Sequence, residues 1–149
     1  MYSYRCTITA VIDGDTVEID LDLGFHVHLT HQRVRLAGID TPESRTTDVV
    51  ERAAGLLSKR RLSEQLPIGS VHTIRTQQSA SDDKFGRILG VFLRADGSLL
   101  NDWMCTQGYA VPYAGEHKKL VKAAHAKNRQ ILIERGELTV PQITMRLYE

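Results

Sequence analysis

The strongest indication of the fold lies in Arg35-Leu36-Ala37-Gly38-Ile39-Asp40-Thr41-Pro42-Glu43. Arg35 and Leu36 alternate like the end of a strand, and Gly38 and Pro42 then predict a turn. Within these nine residues lie a cation, two carboxylates and a hydroxyl. Carboxylates this close repel each other unless a metal ion or a guanidinium lies between them. A surface turn in which Asp40 caps the chain and the charges are solvated fits the same residues.

Two further segments place polar side chains at predicted strand ends. Asp13-Gly14-Asp15-Thr16 lies between two strand-like runs, and Lys84-Phe85-Gly86-Arg87 comes just before an apolar run. Together with Arg35, which stands five residues ahead of Asp40-Thr41-Pro42-Glu43, these segments resemble the staphylococcal (thermo)nuclease family. The resemblance runs from about residue 6 to about residue 115, and less closely to about residue 135. Three such segments in this order, with strands and helices of suitable length between them, make the resemblance specific.

The composition is that of an ordinary globular protein. We expect the 149 residues to form a single domain, 1–149, with a core over about 4–135 and a tail, 137–149, of undefined packing. The formal net charge is only +1, so attraction to nucleic acid must come from local clusters such as Lys59-Arg60-Arg61. The lack of a long apolar run predicts no membrane span, and the N-terminal pattern predicts a cytoplasmic protein without a signal peptide. Cys6 and Cys105 lie in apolar patterns, which favours buried free thiols.

Alternating apolar residues predict five strands, over about 6–12, 17–23, 25–36, 71–77 and 87–93. Phe25, Val27 and Leu29 alternate with polar residues at the start of the third strand. The apolar positions then change parity, because Val34 and Leu36 are even-numbered. This change predicts a bulge or bend near His31-Gln32 that would re-aim Arg35.

A helical period predicts three helices. The first runs from about 47 to 65 with Thr47 or Asp48 as its N-cap, and the second is short, near 99–104. The third runs from about 116 to 135, with inward-facing residues Leu120, Ala124 and Ile131. Short strands with helices that bury single apolar stripes predict an α+β fold, mainly a β-barrel. The family resemblance implies the same architecture, a five-stranded OB-fold barrel with three helices.

The acidic residues suit phosphodiester hydrolysis, which needs charge neutralisation and a positioned water. Asp15 and Asp40 come from different turns, and if the barrel brings them together their oxygens can hold Ca²⁺. Thr41 would add a main-chain carbonyl oxygen, which is a normal ligand for a hard cation. Glu43 would act as general base toward a water, or orient it by hydrogen bonding.

Arg35 and Arg87 supply positive charge, because a guanidinium fork matches two phosphate oxygens and keeps its proton. Which arginine stabilises the transition state is left open. The family resemblance implies calcium binding at Asp15, Asp40 and Thr41, water activation at Glu43, and phosphate contacts at Arg35 and Arg87. It also implies substrate contacts at Lys84, Phe85 and Tyr113, although Phe85 and Tyr113 equally suit ordinary packing.

The resemblance implies a Ca²⁺-dependent, sugar-nonspecific nuclease that cleaves single-stranded DNA and RNA, and nicked or frayed duplex, and leaves 3′-phosphates. An alternative from another class is a non-catalytic OB-type module that binds single strands or a protein partner, because a barrel does not by itself imply catalysis. The presence of Arg35, Glu43 and Arg87 favours the nuclease, because a simple binder needs no base beside a metal.

The histidines predict no zinc site. His26 and His28 share a strand face, but His31 lies beyond the predicted bulge and no cysteine or carboxylate completes a tetrahedral set. His117 and His125 are expected on the surface of the third helix.

Overall fold

The computed structural model describes residues 2–76 and 86–139. Its strands are, in chain order, β1 (Tyr2–Asp13), β2 (Thr16–Asp22), β3 (His28–Leu36), β4 (Ile39–Asp40), β5 (Val71–Thr76), β6 (Ile88–Phe92) and β7 (Val111–Pro112). Five of them close into a ring in the order β1, β2, β3, β6, β5. Neighbours in the ring are antiparallel except β3 and β6, which run parallel. The predicted α+β fold with a five-stranded barrel is therefore confirmed.

The helices of the described residues are α1 (Val49–Gln65), α2 (Leu100–Thr106) and α3 (Lys118–Glu134). Asp48, rather than Thr47, caps α1, because its carboxylate accepts from the main-chain N–H groups of Val50 and Glu51, both at 3.1 Å. Among residues 2–76 and 86–139, no helix has the length and apolar character needed to cross a membrane.

One apolar core fills the ring and the space under the helices. Its largest fully buried side chains include Phe92, Ile8, Ile19, Leu57 and Met104. Cys6 is buried in this core and Cys105 is half-buried, and both are free thiols. Burial raises the pKa of each thiol to about 11.

The predicted bulge lies in β3. Ile19 pairs with Gln32 whereas Leu21 pairs with Leu29, so β3 contains one more residue than β2 over this interval. His31 lies within it and adopts a left-handed backbone with φ 54°. The shift turns Val34 into the core, and Arg35 onto the opposite face of the sheet.

The sequence pattern was misleading at the β2–β3 turn. Phe25 is 98% exposed and has a left-handed backbone, with φ 53°, so the prediction that the third strand begins at residue 25 is wrong. Val27 and Leu29 are also exposed. The reason is that β2 contributes its last buried side chain at Leu21, before the hairpin reaches its tip.

The inward face of α3 also differs from the predicted one. Leu120 is 66% exposed and Ile131 is exposed as well, so their assignment to the core is wrong. The side that faces the barrel is the stripe at i, i+4, i+7 and i+11, which consists of Val121, His125, Asn128 and Leu132. Because two of these four residues are polar, apolar periodicity selected a neighbouring face. The prediction that His125 lies on the surface is wrong, since it is 8% exposed.

Candidate active site

Side chains from three separate parts of the chain surround a cavity of about 250 Å³. They come from the β1–β2 turn, from the segment between the end of β3 and α1, and from the residue before β6. The lining consists of Asp13, Asp15, Thr16, Arg35, Asp40, Thr41, Pro42, Glu43 and Arg87. All six residues for which the sequence predicted metal binding, phosphate contact or catalysis are in this set.

The β1–β2 turn is fixed to the neighbouring segments through Asp15. Its carbonyl oxygen accepts from the N–H of Leu36 at 2.8 Å, which ties the turn to the end of β3. Its Oδ1 accepts from the Thr16 hydroxyl at 3.1 Å, and its Oδ2 from the Thr41 N–H at 3.4 Å. The carboxylate is therefore held at both oxygens, beside the segment that carries Asp40.

Asp40 is positioned by the small β4–β7 sheet, in which it pairs with Val111. A second restraint comes from Asn101 of α2, a buried residue whose amide donates to the Ala37 carbonyl at 2.8 Å and the Gly90 carbonyl at 3.2 Å. Sequence reasoning missed Asn101, although its position beside Leu100 and three residues before Met104, on the buried side of α2, was a signal for such a link.

Arg35 lies between the two aspartates. Its Nη1 is 3.2 Å from Asp15 Oδ2, and its Nη2 is 3.6 Å from Asp40 Oδ1. The three side chains are mostly shielded from solvent, so salt screens these pairs less than surface pairs. The guanidinium thus neutralises part of the repulsion between two carboxylates from different turns.

His125 contacts the other oxygen of Asp40. Its Nε2 lies 2.7 Å from Asp40 Oδ2, so α3 reaches directly into the site. The sequence does contain a sign that His125 faces inward: it lies seven residues before Leu132, on the same face of α3. A search for apolar periodicity alone overlooks this position because histidine is polar.

Glu43 lines the cavity at its exposed rim. The pKa of its carboxyl is raised. The main cause is that burial removes part of its hydration, and the negative charges of Asp13, Asp15 and Asp40 add to it. Among the residues that the structure describes, none donates a hydrogen bond to this carboxylate. Glu43 is thus available to accept a hydrogen bond from a water or a substrate.

A second cavity, of about 480 Å³, adjoins the first. The two share Arg35 and Arg87 in their linings, and the second also contains Tyr113, whose side chain is partly exposed. Tyr113 is therefore near the predicted phosphate contacts. Lys84 and Phe85, the other predicted substrate contacts, lie outside the described residues.

The oxygen atoms around the first cavity suit a hard cation such as Ca²⁺. Asp15, Asp40 and the Thr41 main-chain carbonyl offer only oxygen ligands. Asp15 Oδ1 and both oxygens of Asp40 each have a second lone pair beyond their present contact, whereas Asp15 Oδ2 already contacts both Thr41 and Arg35. Over residues 2–76 and 86–139, no three His, Cys, Asp or Glu side chains are grouped as a complete metal site. An ion held here would thus take further ligands from the main chain, water or substrate.

A larger cavity, of about 710 Å³, lies on another part of the barrel between β1, β5 and the segment after β6. Its polar side chains come from Arg5, Gln65, His72, Thr73 and Arg94, and none of the described residues that line it is a carboxylate. It therefore offers no carboxylate base and no hard-cation ligand set, and the smaller cavity is the better candidate site despite its size.

Comparison with known proteins gives two kinds of match. Residues 33–132 match the family described as staphylococcal nuclease homologue. The succinoglycan biosynthesis protein ExoI of Rhizobium meliloti is 31% identical over 116 residues, which are 77% of this chain and 56% of that protein. An uncharacterized protein of Bacillus anthracis is 32% identical over 99 residues, 66% of this chain and 42% of that protein. The chain spans about half the length of these curated relatives.

Proposed function

Because the chain belongs to the staphylococcal nuclease homologue family, we propose that it is a Ca²⁺-dependent nuclease that hydrolyses phosphodiester bonds of DNA and RNA. The observation that carries this proposal is the meeting of Asp15, Asp40, Glu43, Arg35 and Arg87 around one cavity. A phosphodiester is an anion that repels a nucleophile, so its hydrolysis needs cations and a base in one place.

The metal ligands in this proposal are Asp15, Asp40 and the carbonyl of Thr41. These residues would hold the ion, which would supply positive charge beside the phosphate and lower the pKa of a neighbouring water. Arg35 places positive charge between the two aspartates before substrate arrives, because its Nη1 and Nη2 lie 3.2 Å and 3.6 Å from one carboxylate oxygen of each. The electrostatic part of the site is therefore largely preorganised by the chain itself.

Glu43 is the general base of the proposed reaction. Its carboxylate faces the cavity and accepts no hydrogen bond from the described residues, so it is free to orient a water and take its proton. Arg35 and Arg87 line the same cavity and bind the phosphate oxygens, where a guanidinium fork stabilises developing negative charge.

Single-stranded DNA and RNA, with nicked or frayed duplex, are the proposed substrates. Tyr113 in the adjoining cavity offers an aromatic face for a base next to the phosphate, and such stacking is worth about 1–3 kcal/mol and tolerates any sequence. A base paired within a duplex does not expose its face in this way, which favours single strands. We further propose that the protein acts in the cytoplasm.

Digestion of a labelled single-stranded DNA and an RNA of the same sequence, with Ca²⁺ or with excess chelator, tests this function. We expect cleavage of both strands with Ca²⁺ and none with chelator. The Arg35→Met variant is a useful companion because it keeps the length of the side chain and removes its charge, and it should not cleave. Equal cleavage with and without chelator, or no cleavage in either, would reject the proposal.

A second candidate is a non-catalytic module that binds single strands or a protein partner. The pairing of both aspartates with Arg35 favours it, because a guanidinium that already offsets part of their charge reduces their need for a further cation. This candidate predicts salt-sensitive binding of single strands in Ca²⁺ with no product formed. Gel analysis of the bound strand after long incubation separates the two functions.

A further inference from the structure

The side chain of Asp40 is held from two directions. Arg35 Nη2 approaches Oδ1 at 3.6 Å, which is too long for a hydrogen bond, whereas His125 Nε2 lies 2.7 Å from Oδ2. The terminal torsion of an aspartate is broad, so a carboxylate held at one oxygen by a long contact still rotates. The histidine contact is therefore the one that sets the plane of the Asp40 carboxylate.

The ring of His125 is itself held in place. It is 8% exposed, and its neighbours on the same stripe of α3 anchor the helix, since Asn128 donates to the Ala110 carbonyl at 3.0 Å and Leu132 is buried. Its Nδ1 is buried and has no hydrogen-bond partner in the part of the chain that the structure describes. A hydrogen on Nδ1 would be a buried unsatisfied donor, so the favoured ring carries its hydrogen on Nε2 and donates it to Asp40.

We propose that His125 is a positioning residue: by donating its Nε2–H to Asp40 Oδ2, it orients the Asp40 carboxylate toward the cavity and makes the ligand set depend on α3. This proposal rests on the proposed function, in which Asp40 is a calcium ligand. Residues that orient a metal-binding carboxylate typically contribute 10–100-fold to metal affinity. The contact joins residues 85 positions apart, so the docking of α3 completes a site that otherwise belongs to the barrel.

Three variants of the full chain separate positioning from simple packing. His125→Leu keeps apolar bulk and removes the donor, whereas His125→Gln places an amide N–H near the former Nε2. Asn128→Leu is the matched control, because it removes a polar contact of the same helix one turn away without touching Asp40. Calcium affinity is measured by calorimetry without nucleic acid, thermal stability is measured in chelator, and kcat and KM are measured on single-stranded DNA.

We expect His125→Leu to bind calcium about 10–100-fold more weakly and to lose kcat, with His125→Gln recovering most of both. Asn128→Leu loosens the same helix and should lower the melting temperature, but it should reduce calcium affinity and kcat much less than His125→Leu does, because the hydrogen bond to Asp40 remains. Unchanged calcium affinity in His125→Leu, or an equal loss in Asn128→Leu, would overturn the proposal.

A measurement without metal or substrate keeps this inference separate from the nuclease function. Long-range ¹H–¹⁵N NMR of the unchanged chain in chelator should show His125 with a hydrogen on Nε2. A neutral ring protonated only on Nδ1 would overturn the positioning role, because Nε2 would then have nothing to donate. Failure of the unchanged chain to cleave nucleic acid would instead reject the proposed function.

Discussion

Substituting Gly55 by alanine should displace the turn that carries Glu43. Gly55 lies in the middle of α1, where alanine is normally the better helix former by about 1 kcal/mol. A Cβ at this position would lie 2.5 Å from the Glu43 carbonyl oxygen and 2.7 Å from the Pro42 carbonyl oxygen. Both atoms belong to the main chain, so they cannot rotate away as a side chain would.

The size of the effect follows from this distance. Contacts of a Cβ below 3.0 Å are essentially never observed, so the helix and the Glu43 segment must separate by at least 0.5 Å, the difference between 3.0 and 2.5 Å. Overpacking of this kind typically costs about 1–3 kcal/mol, which offsets or exceeds the gain in helix propensity. A catalytic group misplaced by about 1 Å loses roughly 10²-fold in rate, so we expect kcat to fall roughly 10- to 100-fold.

The assay combines urea unfolding with steady-state cleavage of single-stranded DNA in Ca²⁺. Leu56→Ala is the matched control, because Leu56 is the next residue of α1 and is 50% exposed. It should change the unfolding free energy by less than about 0.5 kcal/mol and leave kcat unchanged. If Gly55→Ala is more stable than the unchanged chain and cleaves at the same rate, helix propensity alone decides and the steric reasoning is refuted.

Glu43→Gln should lower kcat by roughly 10²- to 10⁴-fold and leave the calcium affinity measured by calorimetry unchanged, because it removes the base and none of the proposed ligands. If the variant cleaves at the rate of the unchanged chain, Glu43 is not the base. Arg87→Ala should lower kcat more than it raises KM, since the lost charge matters most in the transition state, whereas a change in KM alone would assign it to ground-state binding. Burial raises the pKa of the Cys6 and Cys105 thiols from 9.0 to about 11. The free energy of unfolding should therefore fall as the pH rises from 9.0 to about 11, because over this range the thiols ionise in the unfolded chain but not in the folded one. Urea unfolding of the Cys6→Ala, Cys105→Ala double variant should show a weaker fall over that range, and an identical fall would contradict the assignment.

The barrel and the members of its candidate site were predictable because their signals are local. Asp15 follows a glycine turn after an alternating strand, and Asp40 lies between Gly38 and Pro42, so each residue was assigned to a strand end. The bulge at His31 was predictable too, because a change of parity is visible in the sequence itself.

The links that complete the site were not predictable because they depend on distant partners. The strands β4 and β7 have two residues each, and each is defined only by pairing with the other. His125 and Asn101 are polar residues that are buried because each has a hydrogen-bond partner far away in the sequence. His125 contacts Asp40 Oδ2. Asn101 donates to the carbonyl oxygens of Ala37 and Gly90. Apolar periodicity counts such residues as surface, and so it placed the wrong face of α3 against the barrel.

The proposed calcium site is tested most directly by anomalous scattering from crystals of this chain grown in Ca²⁺, at a concentration that supports cleavage. The proposed function predicts one cation peak between the carboxylates of Asp15 and Asp40, beside the Thr41 carbonyl, and its loss in Asp40→Asn. A cavity without a cation under those conditions, or a cation bound elsewhere in a chain that still cleaves, would contradict it.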